Sequence, residues 1–121
     1  MVEVKVLSDK IIFDVEGWDK LWTLKSHLEI PIANIKGAKA DPAPAMGWFQ
    51  GFKRAGTDIP NIFRAGTFYQ DGNLVFWDVH NPQNTIVIDL IHEHYTQLII
   101  EVSNPSKTVA LINKSIIKEP S

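Results

Sequence analysis

The sequence predicts a mainly β domain, a bent antiparallel barrel of seven or eight strands capped by one C-terminal α-helix. Three observations predict it. Val2, Val4 and Val6, then Ile11, Phe13 and Val15, occupy every second position, the period that places each set on one face of a half-buried strand. Asp71-Gly72 stands between two apolar runs, where it suits the positive φ of a tight hairpin turn. Asn104-Pro105 then opens a stretch with helical spacing, an N-cap side chain followed by a proline whose missing N–H is not needed at the first helical position.

The elements follow in order. Ser8-Asp9 joins the first two strands as a hairpin. Gly17–Trp22 is too short for a stable helix and reads as an irregular connector. Leu28 and Ile30 alternate again until Pro31, which has no N–H for a ladder. The chain turns over Ile32–Asn34, and Ile35–Ala40 reads as another short strand. From Asp41 to Arg64 neither period holds, while Pro42, Pro44, Pro60, Gly47, Gly51 and Gly56 accumulate, so 41–64 reads as a long irregular loop inserted in a single domain spanning 1–121. Regularity returns with Ala65–Gln70 and Asn73–Val79, then with the β-branched runs Thr85–Ile91 and Tyr95–Val102, which form a further antiparallel pair. In the helix Val109, Ile112 and Ile116 make the inward stripe, and Lys107, Asn113, Lys114 and Lys118 are expected to face solvent.

Composition narrows the function classes. Forty-five per cent hydrophobic and 21% charged residues describe a globular chain rather than a disordered one. Twelve Lys and Arg against 14 Asp and Glu leave a net charge of −2, which lacks the broad positive field of a nucleic-acid binder. The absence of cysteine removes disulfides, thiolate metal sites and cysteine nucleophiles, and it fits a reducing cytoplasm. Alternation from Val2 to Val6 takes the place of the unbroken apolar stretch a signal peptide would show, so the start reads as mature structure. Runs of four apolar residues, as in Leu74–Trp77, fall far short of the roughly 20 that span a bilayer.

Two pieces of the chain resemble a known family. Leu28–Lys36 looks like the strand, turn, strand element of bacterial pleckstrin-homology-like domains, and Leu98–Val102 running into Asn104-Pro105 looks like their last strand and capping helix. The resemblance implies a scaffold for lipid head groups, peptides or self-association, with no catalytic residue to carry over. Phosphoinositide-binding members gather Lys and Arg between the first two strands. Here that turn is only Ser8-Asp9, followed by Lys10, so lipid specificity is not transferred.

No motif carries chemistry. No nucleophile elbow, P-loop or glycine-rich phosphate loop is present, and Asp14 with Glu16 reads as solubilising charge on an outer strand face. His92-Glu93-His94, with His80 elsewhere, has the residue types of a metal site but falls where a tight turn is expected; a solvent-exposed turn is preferred, and neither a metal nor a cofactor is assigned. The loop is the most informative segment: Trp48, Phe49 and Phe52 are interleaved with Lys53 and Arg54, and Arg64 closes it. Aromatics beside cations suit contact with a protein partner or a second copy, and more weakly with an anionic membrane surface. The competing reading is that these rings fill a satellite core beneath the loop.

The expectation is therefore a cytoplasmic, non-enzymatic binding or assembly module that uses a sheet edge or the 41–64 loop. A small-molecule carrier or enzyme with an enclosed apolar pocket is the alternative.

Overall fold

The computed structural model describes residues 1–15, 27–41, 52–59, 63–70 and 72–117, with backbone only at 52–59, 63–65, 70 and 117. The connector Gly17–Trp22, Trp48, Phe49, Asp71 and Lys118 lie outside the described residues.

The alternation at the start of the chain builds a three-stranded antiparallel sheet, β1 (Val2–Val6), β2 (Lys10–Val15) and β3 (His27–Pro31), in that spatial order. Val2 pairs with Val15 and Ile11 with Ile30, so Val2, Ile11, Phe13, Val15 and Ile30 share one buried face. Pro31 ends the ladder, and a single 3-10 turn over Ile32–Asn34 drops the chain into a second layer. There β4 (Ile35–Ala40), β5 (Phe52–Ile59), β6 (Phe63–Gln70), β7 (Asn73–Val79), β8 (Thr85–Leu90) and β9 (Gln97–Glu101) form one sheet in the order β4-β8-β9-β7-β6-β5. Every pair in it is antiparallel except β7 with β9.

Three expectations need correction. Nine strands stand among the described residues, not seven or eight. The additional one is β5, inside the segment 41–64 read as irregular: it pairs from Phe52↔Tyr69 to Ile59↔Phe63, with a bulge between Lys53 and Ala55. That bulge adds one residue and shifts the apolar period by one step, which is why alternation is invisible there. The sheets are also not closed into one barrel, since no ladder joins them among the described residues. The three-stranded sheet lies instead against the inner face of the larger one, where its buried face meets Phe76, Ile86, Ile88, Leu98 and Ile100.

β7, β8 and β9 are buried on both faces, which explains why their sequences run apolar instead of alternating. Their outer face, joined by Phe68 of β6, carries a second cluster of Val75, Trp77, Val79, Val87 and Ile99. Trp77 stands directly across from Gly66, whose φ of 120° is open to glycine and closed to residues with a Cβ. Two buried polar groups find partners across the fold. Asp78, fully buried, takes the Met1 ammonium at 3.0 Å, and the buried Tyr95 hydroxyl shares a 3.0 Å hydrogen bond with Thr67.

The C-terminal helix α1 (Pro105–Ile117) starts as the sequence predicts, with the Asn104 side chain accepting from the Lys107 N–H at 3.2 Å. Ile112 is fully buried, and Val109 and Ile116 pack on the same core. The helix lies beside the three-stranded sheet and over β4.

Candidate functional site: the two ends of the six-stranded sheet

An edge strand exposes backbone donors and acceptors that will pair with any extended chain of suitable register, so the ends of a sheet decide whether it associates. The two ends here are built differently.

At one end, β4 is closed by a side chain. The Asn113 carboxamide accepts from the Ala38 N–H at 3.0 Å and donates to the Ala38 carbonyl at 2.9 Å. One amide thereby supplies both bonds that a neighbouring strand would make at that residue. Asn113 is half-buried, so the expectation that it faces solvent is corrected. It stands four residues after Val109 and three before Ile116, on the inward stripe, which puts its head group against the strand edge. Lys36 and Lys39 add exposed cations along the same strand, a second obstacle to pairing.

At the other end is β5. No described strand pairs with its outer edge. Of the six residues the sequence singles out, Phe52, Lys53 and Arg54 belong to β5, with Arg54 at the bulge, and Arg64 lies on β6 in register with Asp58. Trp48 and Phe49 precede them outside the described residues. The structure therefore brings four of the six to one terminal hairpin.

A charged array not anticipated from the sequence covers the outer face of the three-stranded sheet. His27 is held between two carboxylates, Nδ1 at 2.7 Å from Asp14 and Nε2 at 2.8 Å from Glu29; Lys10 reaches Glu29 at 2.9 Å and Lys5 reaches Asp14 at 3.7 Å. A neutral imidazole can donate from only one nitrogen, so contacts at both require the imidazolium. The hydrogen bond His27 donates to Glu29, then the one it donates to Asp14, accordingly raises its pKa above the ordinary 6.5. His27 in turn, and then Lys10, lower the pKa of Glu29. Because the histidine pKa is raised on folding, its stabilising contribution is complete below the unfolded value near 6.5 and disappears as pH rises through the folded value. The Glu29 contribution runs the other way, present above its ordinary 4.5 and lost as pH falls through its lowered value. An NMR titration should find the His27 midpoint above 6.5 and Glu29→Gln should move it down; a wild-type midpoint at or below 6.5 would contradict the bridged geometry. Sequence reasoning passed over His27 because one partner lies 13 residues away, across a register that had to be known first.

Elsewhere, His92-Glu93-His94 lies on the turn from β8 to β9, with both histidines exposed, His92 at a φ of 62° and Glu93 accepting from the Asn34 side chain. No group of three or more His, Cys, Asp or Glu suited to a metal occurs among the described residues. An open cleft of about 410 Å³ beside the strand termini of β4, β8, β9 and β7 is lined by Lys36, Asn73, Asp89 and Gln97, with Gln97 bonded to Asp89 at 2.8 Å. Among the described residues no helix is long and apolar enough to cross a membrane. Comparison with protein-family models finds no match, and comparisons with curated proteins and with solved structures find none either.

Proposed function

We propose that this chain is a non-enzymatic assembly module that binds by adding a strand at the β5 end of its six-stranded sheet. The observation that carries this reading is the asymmetry of the ends: β4 has its Ala38 backbone groups taken by Asn113, while β5 meets no described strand on its outer side. The cations that the sequence singles out lie on or beside that open end.

A pleckstrin-homology-like scaffold is compatible with such a role, and the helix that follows the last strand favours it. The parallel β7–β9 pair and the unjoined sheets differ from a consecutive antiparallel barrel. The function is therefore read from the sheet ends and not from kinship.

Light scattering on the purified chain over a concentration series tests the reading. A mass that climbs above the 13.7 kDa of one chain is the expected result. A mass fixed at 13.7 kDa up to the solubility limit would overturn it.

A further inference from the structure

The β5–β6 ladder fixes which positions of β5 share a face. Lys53, Gly56 and Asp58 pair with Phe68, Gly66 and Arg64, and so fall by register on the side of the sheet that carries the second core cluster. Phe52, Ala55, Thr57 and Ile59 pair with Tyr69, Thr67, Ala65 and Phe63 and fall on the other side. Lys53 and Asp58 are five residues apart, which in an unbroken strand would set them on opposite faces; the bulge at Arg54 brings them onto the same one. With Arg54 set aside, β5 offers seven ladder positions, and Gly56 is the middle one.

We propose that β5 pairs antiparallel with β5 of a second copy about a two-fold axis through Gly56. This rests on β5 being the open end, as argued above, and it names both the partner and the register. In that register Phe52 stands opposite Ile59 of the second copy, Lys53 opposite Asp58, Ala55 opposite Thr57, and Gly56 opposite itself, with Arg54 bulged in both chains. Every pair then agrees in face, as an antiparallel ladder requires. Opposite charges meet twice, apolar residues meet at both ends of the ladder, and glycine sits where the two backbones cross the axis. Registers displaced from this one pair fewer residues and separate Lys53 from Asp58.

The arrangement also closes. A two-fold contact uses the same surface on both copies and leaves no complementary face to extend, and the far end of each sheet is sealed at Ala38 by Asn113. Growth stops at two chains, with the two six-stranded sheets continuous across the axis.

Reciprocal charge reversal tests the register. Lys53→Asp leaves only acids at the two facing positions and Asp58→Lys leaves only bases, so each variant alone repels its own copy while an equimolar mixture restores both ion pairs. Light scattering should show each single variant dissociating at least about tenfold more readily than the wild type, and the mixture recovering the dimer. A wild type that dimerises while both variants dimerise equally well would overturn the register and leave edge assembly standing. A wild type that stays monomeric would overturn edge assembly itself. Circular dichroism establishes that each variant is folded; if Asp58→Lys is not, the neutral pair Lys53→Gln and Asp58→Asn must each weaken the dimer, and equal strength in both would overturn the proposal.

Discussion

Trp77→Ala should destabilise the protein by about 3–5 kcal/mol, the cost of emptying a large buried site. Trp77 is fully buried on β7, between Gly66 on β6 and Ile99 on β9. It packs edge-on against Phe68 at a centroid distance of 6.3 Å and anchors the outer-face cluster. Gly66 stands opposite it in register and has no side chain with which to fill the vacated space, its φ of 120° being one that residues with a Cβ rarely adopt. A domain of this size has about 5–15 kcal/mol in total, so the variant should be only marginally folded. Urea unfolding followed by far-UV circular dichroism, which does not depend on the lost fluorophore, reads the change as a lower midpoint at unchanged slope. A loss below about 1 kcal/mol would contradict the buried position assigned to the indole.

Ile112→Ala should cost about 2–5 kcal/mol, and it should act on the β4 edge as well as on the core. Ile112 is fully buried on the inward stripe of α1, next to the residue that seals Ala38. Loosening the helix therefore loosens the Asn113 bonds. The neighbouring Leu111 is 48% exposed, and its replacement by Ala should stay within about 0.5 kcal/mol. Equal losses at the two positions would mean that α1 is not seated as described.

The parts of this fold that were legible in the sequence are those set by local chemistry. The turn at Gly72, with its φ of 81°, and the Asn104 cap with Pro105 behind it are determined within a few residues. So is the alternation of β1 and β2, whose inner and outer faces both formed as expected. What was not legible depends on long-range pairing. β5 was hidden because the bulge at Arg54 breaks its period, and the proline and glycines around it imitate a loop. The insertion of β9 between β7 and β8, parallel to the former, has no local signature, since buried strands of either direction read as apolar runs. Asn113 was misplaced because a polar side chain on a helix is ordinarily assigned to water, although its position four residues after Val109 put it on the inward stripe.

The candidate site shows the same division. Lys53, Arg54 and Phe52 were picked out by residue type alone, as aromatics beside cations. Their place on the outermost described strand, and the shared face of Lys53 and Asp58, follow only from the ladder.

On the proposed reading, Asn113 seals the β4 end of the six-stranded sheet, while β5, which meets no described strand on its outer side, is the end that associates. Residue-resolved amide hydrogen exchange, measured on dilute and concentrated samples, tests both halves at once. The account predicts slow exchange of the Ala38 amide at every concentration, and exchange along β5 that slows as concentration rises. Fast exchange at Ala38, or β5 amides indifferent to concentration, would contradict it.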